Sequence, residues 1–373
     1  MNEGHITGAL FLDLKKAFDT VDYDILLQKL CNYGITGDTL HWFRSYLSNR
    51  MQTVNINSTL SDFKCVNMGI PQGSILGPLL FIIYVNSLPD CINCKCIMYA
   101  DDTTLLFKSS DSISLQSEMN DNLSKIARWF EVNKLTLNLE KTKYMIFGTN
   151  HALNNFENIS LNYGNDIIER VYKFKYLGVI FDPTLAWSEH VDYISSVVSK
   201  RIGVIRRVKF YLPPKTLNLL ANALVFPHFD YCSPIWSNCI SDFCNSLQIL
   251  QNKLARVLLS ADIRTPIFDM MNTLHWDKLN ERWNKQILVV VFKCLNNNAP
   301  SYLSSKFTFT SSIHSQGTRS QSFNTLVLPP WNNNSGKRTF QYRGALKWNS
   351  LTTDVRSNYT SMKLERFKAS INL

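Results

Sequence analysis

Ile97-Met98-Tyr99-Ala100-Asp101-Asp102-Thr103-Thr104-Leu105-Leu106-Phe107 sets two adjacent carboxylates between two apolar, β-prone segments, and this stretch constrains the fold more tightly than any other. It reads as a hairpin with an acidic tip. Asp is frequent in ordinary turns, so the tip alone decides nothing. A third carboxylate changes the weight, because Asp13 follows directly on another strand-like run, Ala9-Leu10-Phe11-Leu12. If the two strands are neighbours in one sheet, three carboxylates converge at its end, and such a cluster is too repulsive to persist without cations. Hard divalent ions with oxygen ligands are the natural remedy.

With 373 residues the chain can bury a real core, and its length suits two or three domains. A hydrophobic content of 45% with 12% aromatic residues fits a folded protein and argues against disorder. The formal net charge of +10 suits a polyanionic partner such as nucleic acid. Nine cysteines, an odd number spread along the chain with no signal peptide before them, point to reduced thiols in an intracellular protein of the nucleus or cytoplasm. Cys91-Ile92-Asn93-Cys94-Lys95-Cys96 contains a C-x-x-C without a second ligand pair at suitable spacing, which reads as loop rather than zinc site. The longest apolar run, Leu79 to Val85, is far too short to span a bilayer, so no transmembrane segment and no membrane partner are expected. The sequence has no internal repeats, and its lack of a P-loop, H-E-x-x-H or G-x-S-x-G motif removes the commonest rival enzyme classes.

Three motifs occur in a fixed order. They are Phe11-Leu12-Asp13-Leu14-Lys15-Lys16-Ala17-Phe18-Asp19-Thr20-Val21-Asp22, Gly69-Ile70-Pro71-Gln72-Gly73-Ser74-Ile75-Leu76-Gly77-Pro78, and Tyr99-Ala100-Asp101-Asp102. Together they resemble the first three palm motifs of a reverse transcriptase. The Ala between Tyr and Asp-Asp resembles the LINE-type (non-LTR) retrotransposon branch, jockey-like elements especially. Any one motif would be a weak signal; three in order are specific. Leu135 to Phe147 resembles the fourth palm motif, and Lys173 to Ile180 the fifth, the primer-grip hairpin. The resemblance places a fingers region, and often an endonuclease domain, upstream of the first motif. The expected fold is therefore α+β: a reverse-transcriptase palm, an antiparallel sheet with helices on one face, followed by a helical thumb and a helical C-terminal region, with the fingers absent. Expected domains are palm at 1–150, primer-grip hairpin and thumb at 151–235, and a C-terminal helical region of retroelement type at 236–373.

Periodicity supports this order of elements. A helix is expected from near Asp22, with Ile25, Leu26, Leu27 and Leu30 inward and Gly34 past its end. A second covers Asp38 to Leu47, and Thr53 to Ile56 alternates like a strand. Pro78 suits the first turn of an apolar helix. Leu115 to Phe130 reads as an amphipathic helix with Met119, Leu123, Ile126 and Phe130 inward. Leu135 to Phe147 alternates into a strand. From Trp187 the pattern is helical, with Val191, Ile194, Val198 and Ile202 on one side; further helices cover Asp242 to Leu259 and Leu279 to Leu295. Asn296 to Asn333, rich in Ser, Thr, Asn and Pro, is expected to be irregular. Phe340 to Leu351 resembles a C-terminal segment of jockey-like elements, and packing is the default role of its Trp and Tyr.

The resemblance also implies roles. Asp13 and Asp101, helped by the backbone carbonyl of Leu14, would hold two Mg2+ ions, with Mn2+ as a substitute, and Asp102 would be an auxiliary carboxylate. Phe18 occupies the position of a steric gate that selects deoxynucleotides. Gln72 and Gly73 would contact the incoming nucleotide and template, and Lys15 and Lys16 would reach phosphates. Lys141 is a candidate for protonating the leaving pyrophosphate, with Lys143 equally placed. Lys200, Arg201, Arg206, Arg207 and Lys209 would form a basic thumb face on the nucleic acid. The partners implied are an RNA template, a DNA primer and deoxynucleoside triphosphates. Two functions follow: an RNA-directed DNA polymerase core, or a truncated, catalytically incompetent retroelement remnant that binds nucleic acid at most. The main triphosphate clamp of the family lies in the fingers, so very low activity is expected without them.

Overall fold

The computed structural model describes residues 5–156, 158–312 and 324–371. It divides into two compact units at the Tyr172–Lys173 peptide. In the first unit the elements follow as β1 Ile6–Leu12, α1 Tyr23–Asn32, α2 Gly37–Leu47, β2 Arg50–Gln52, β3 Asn55–Ile56, β4 Thr59–Leu60, β5 Lys64–Val66, α3 Leu76–Val85, β6 Lys95–Tyr99, β7 Asp102–Ser109, α4 Ser112–Val132, β8 Lys143–Phe147, α5 Asn150–Leu153, β9 Leu161–Tyr163 and β10 Asp166–Arg170. One sheet runs in the order β6-β7-β1-β8-β10-β9. Its pairs are antiparallel except β8 with β10, which run parallel with Glu169 opposite Lys143, so the sheet is mixed where an antiparallel one was expected. A parallel neighbour needs a crossover, and the chain from α5 to β9 supplies it.

β1 sits between β7 and β8, which is why it is buried almost throughout. Its Leu10 lies opposite Leu105 and Tyr144, and these three share one core with Leu80, Phe81 and Tyr84 of α3 and Leu115, Met119, Leu123 and Ile126 of α4. Each fully buried side chain of this size contributes roughly 1.5–3 kcal/mol. Gly8 lets α4 lie directly on the strand, since a Cβ there would stand 2.9 Å from Met119 Sδ. α1 starts where the sequence places it: the Asp22 carboxylate accepts from the Ile25 amide at 3.1 Å. β9 and β10 carry this sheet past residue 150, and the compact unit ends at Tyr172.

In the second unit come β11 Phe174–Tyr176, β12 Val179–Phe181, α6 Ser188–Val208, α7 Pro214–Leu224, α8 Phe226–Asp230, α9 Ser233–Trp236, α10 Ser241–Leu259, α11 Ile267–Leu274, α12 Leu279–Leu295, α13 Ser301–Ser304, α14 Asn334–Lys337, α15 Phe340–Asn349, α16 Thr353–Ser357 and α17 Leu364–Ser370. β11 and β12 form the expected hairpin, turned through Leu177 and Gly178 at φ 44° and 81°. Asp182 ties the hairpin's exit to α6, accepting from the amides of Thr184, Ala186 and Trp187. The core that buries Val191, Ile194, Val198 and Ile202 continues through Trp236, Leu247 and Trp283, so a boundary at residue 236 would cut a packed core. α12 ends in a second core, where Val291 and Phe292 meet Trp348 and Phe367. Trp348 is fully buried and donates to the Asn324 carbonyl at 2.9 Å, the packing role expected of it. Of the segment expected to be irregular, α13 and an isolated bridge of Phe309 with Leu326 are ordered, and residues 313–323 lie outside the described residues. Among the described residues no helix is long and apolar enough to cross a membrane.

Candidate active site

The register of the sheet brings the three expected carboxylates to one end of the β1–β7 pair. Leu12 lies opposite Thr103, so Asp13 leaves β1 beside the start of β7, where Asp102 pairs with Tyr99 across the hairpin. Asp101 and Ala100 are the turn, and Ala100 adopts φ 54°. A left-handed alanine costs about 1–2 kcal/mol, a strain that the pairing of the flanking strands offsets. All three carboxylates are half-buried. The Asp102 carboxyl is raised above the usual carboxylate range, first by burial and then by the charges of Asp101 and Asp13. That mutual repulsion is what a divalent cation would relieve, and the donors are all hard oxygens. Among the described residues, however, no three His, Cys, Asp or Glu side chains are drawn together into a metal cage.

Asp13 is fixed by its backbone. Its amide donates to Thr142 Oγ1 at 3.2 Å and its carbonyl accepts from Asn138 at 2.8 Å, while the Lys15 amide donates to Thr136 at 2.8 Å. This pairing of Leu14 with Leu137 uses the groups on either side of Leu14 and leaves the Leu14 carbonyl outside the ladder. The fourth motif is thus a turn that clamps the first, and its strand begins only at Lys143. Lys141 is exposed with Nζ 3.9 Å from Asp13 Oδ2; Lys143 is drawn to Glu169, at 2.5 Å, on the neighbouring strand.

The loop after Asp13 carries exposed Lys15 and Lys16, the latter at φ 48°. Phe18 stacks on Phe81 at 4.5 Å between ring centroids, so its ring is held against the core. Gln72 donates to Asp19 Oδ1 at 2.8 Å and joins the second motif to the first. Gly69 makes the close approach possible. It has φ +85°, and a Cβ there would lie 2.7 Å from the Asp19 carbonyl oxygen. Gly73 has φ +79° with open space around it. A cleft of about 800 Å3 opens here, lined by Lys16, Asp19, Arg50, Gln52, Gly69 and Gln72. The sequence reading missed Arg50 and Asp19. Arg50 donates to the Gly69 carbonyl at 3.3 Å, and its position in a short exposed strand carries no motif.

The basic residues lie in the second unit. Lys200, Arg206 and Arg207 are exposed on or beside α6. Arg201 instead turns to the Leu224 carbonyl at 2.6 Å, at the C-terminal end of α7, and Lys209 lies 5.0 Å from the Phe210 ring with Nζ 3.4 Å from Ser260 Oγ. At 100° per residue Arg201 falls on the flank of the buried stripe, whereas Lys200 and Arg207 share the outer face.

Sheet, acidic hairpin and glycine-rich loop define a reverse-transcriptase palm. Residues 1–181 match the family model described as reverse transcriptase (RNA-dependent DNA polymerase). That stretch, a little under half of the chain, is similar to the family, and the curated relatives that the chain resembles are RNA-directed DNA polymerases of jockey-like mobile elements. It is 26% identical over 295 residues to the RNA-directed DNA polymerase from mobile element jockey of Drosophila melanogaster, covering 75% of this chain and 31% of that protein. To the probable RNA-directed DNA polymerase from transposon BS of the same species it is 28% identical, covering 72% and 30%. The chain thus spans about a third of the length of these curated relatives. Among solved structures it is similar to the telomerase of Candida albicans in complex with a fragment of telomeric RNA, at 13% identity and a TM-score of 0.35, covering 80% of this chain and 48% of that one.

Proposed function

We propose that the chain carries the catalytic palm and the thumb of an RNA-directed DNA polymerase that joins deoxynucleotides to a DNA primer on an RNA template. The observation that supports this most is the convergence of Asp13, Asp101 and Asp102 at one sheet end, with the Asp102 carboxyl raised first by burial and then by its neighbours' charges. In this reading Asp13, Asp101 and the Leu14 carbonyl would hold two Mg2+ or Mn2+ ions, with Asp102 assisting. Bound there, such ions lower the pKa of a primer hydroxyl and stabilise a leaving pyrophosphate. Lys141, exposed and near Asp13, is the proton donor to that pyrophosphate, since Lys143 is engaged by Glu169. Phe18, backed by Phe81, excludes a ribose 2′-hydroxyl. Gln72 and Gly73, with Lys15 and Lys16, receive the nucleotide in the cleft beside Asp19. The palm would be the first unit, the primer-grip hairpin β11–β12 and the thumb helix α6 would open the second, and Lys200, Arg206 and Arg207 would follow the phosphates of the duplex.

Primer extension with Mg2+ on an RNA template, by the chain joined in cis to a fingers region, tests the reading. Asp101→Asn should remove extension while leaving the fold and template binding in place, because a carboxylate that positions metals acts on the transition state more than on ground-state affinity. Extension undiminished in Asp101→Asn would place the active site elsewhere. Absence of any extension by the unaltered chain, with template binding retained, would favour the remnant that only binds.

A further inference from the structure

Cys239 and Cys244, a pair outside every motif described above, stand with their sulfurs 3.2 Å apart. Cys239 lies just before α10 and is buried; Cys244 is in the first turn of that nineteen-residue helix and is partly accessible. The backbone holds them so: the Cys239 amide donates to the Trp236 carbonyl at 3.1 Å, and the Cys244 amide to the Ile240 carbonyl at 3.3 Å. A disulfide needs a sulfur separation of about 2 Å, so closing the bond asks the two sulfurs to approach by about 1 Å.

The surroundings favour thiolate over metal. Arg343 is half-buried and its charge acts on both sulfurs, while it donates to the Pro234 carbonyl at 3.2 Å and to Ser237 Oγ at 2.7 Å; Arg338 also acts on Cys239. Two guanidinium groups repel a cation, and among the described residues no third ligand joins the pair. The Cys244 thiol is lowered, first by the hydrogen bond from Cys239 and also by the Arg343 charge, against its own burial; that of Cys239 is raised. Burial first pushes the Cys91, Cys94, Cys96, Cys232 and Cys294 thiols up, so among the cysteines with a resolved shift Cys244 alone is lowered.

We propose that Cys239 and Cys244 are an oxidisable dithiol, a modification site at which a peroxide closes a disulfide. The Cys244 thiolate attacks a peroxide oxygen, the O–O bond breaks, and hydroxide leaves and takes a proton to become water. Cys239 then attacks the sulfenic sulfur, its proton leaving with the second hydroxide as water. The balance is dithiol plus hydrogen peroxide to disulfide plus two waters. Cys244, accessible and lowered, is the attacking thiol, and buried Cys239 resolves.

The test treats the folded chain with hydrogen peroxide near neutral pH, blocks remaining thiols with N-ethylmaleimide and maps the unreduced tryptic peptide Thr216 to Lys253, which holds Cys232, Cys239 and Cys244. One label, on Cys232, and a mass lower by two hydrogens is expected, and dithiothreitol should restore labelling at all three. Cys239→Ser should leave Cys244 as a sulfenic acid that dimedone traps, and without peroxide Cys244 should alkylate at lower pH than exposed Cys31. Full labelling of all three cysteines after exposed Cys31 and Cys65 have been oxidised would overturn the proposal, as would alkylation of Cys244 only at the pH of Cys31. The native-chain arm decides the matter if the serine variant fails to fold.

Discussion

Lys141 Nζ lies 3.9 Å from Asp13 Oδ2, an ion pair that joins the fourth palm motif to the first across the end of the sheet. Lys143, two residues on, is turned away from it and held by Glu169 at 2.5 Å. Sequence alone left the two lysines equivalent as proton donors. Lys141→Gln should lower the extension rate about 100-fold or more, the usual effect of losing a general acid, with nucleotide affinity changed little. Lys143→Gln should leave the rate within a few-fold. Pre-steady-state extension on a primer-template reads both, and a larger loss in Lys143→Gln would reverse the assignment.

Gly69 should be irreplaceable for packing, unlike Gly73. Both have positive φ, but a Cβ at Gly69 meets the Asp19 backbone at 2.7–2.9 Å, whereas at Gly73 it meets nothing within 4 Å. Gly69→Ala should cost about 2–4 kcal/mol, strain plus a clash that backbone cannot relieve, and Gly73→Ala about 1 kcal/mol. Urea denaturation of the two variants compares them directly; equal midpoints would mean that the loop moves aside.

His190 makes the stability of the second unit depend on pH. It is 2% exposed, accepts at Nδ1 from the Ile180 amide at 3.3 Å and stands edge-on to Trp236 at 5.3 Å. Burial first, then the Lys175 charge, lowers its pKa from 6.5 to about 4. The unfolded chain therefore takes up a proton on falling below pH 6.5 that the folded chain refuses until about 4. This contribution is complete above 6.5, declines between 6.5 and 4 by at most about 3 kcal/mol, and is level below. His190→Phe should flatten that part of the stability profile relative to the unaltered chain; an identical slope would show that the imidazole is free to protonate in place.

The basic residues of α6 should separate into two kinds. Arg206→Gln with Arg207→Gln should weaken duplex binding and reduce the salt slope by up to about two, near 0.9 for each phosphate no longer neutralised. Arg201→Gln should act on stability instead, by about 1–2 kcal/mol, because its guanidinium satisfies the Leu224 carbonyl. Titrations of a labelled primer-template at several salt concentrations distinguish them, and an unchanged slope in the double variant would remove α6 from the interface.

How far the sequence could be read depended on how local each signal was. α12 runs over Leu279–Leu295 and α10 over Ser241–Leu259, within a residue of what their apolar spacing predicts, and Asp22 caps α1 through its own side chain. β9 and β10 were not foreseen. They are three and five residues long and owe their place to pairing with each other and with β8, although Gly164 at φ +62° between them is a turn signal. The short helices α8 and α9 were also missed, yet each has a proline in its first turn, Pro227 and Pro234. At the site, the order of motifs singles out Asp13, Asp101 and Asp102 as candidates, but the ion pairs that distinguish Lys141 from Lys143, and Arg201 turning inward, exist only once distant strands and helices are brought together.

Divalent-metal binding by the chain itself tests the central claim most directly, read as the loss of free Mn2+ signal in electron paramagnetic resonance with Mg2+ as competitor. The unaltered chain should bind Mn2+ in competition with Mg2+. Asp13→Asn and Asp101→Asn should each weaken binding at least tenfold, and Asp19→Asn should leave it unchanged. Binding that survives in a folded Asp13→Asn, Asp101→Asn double variant would contradict the account.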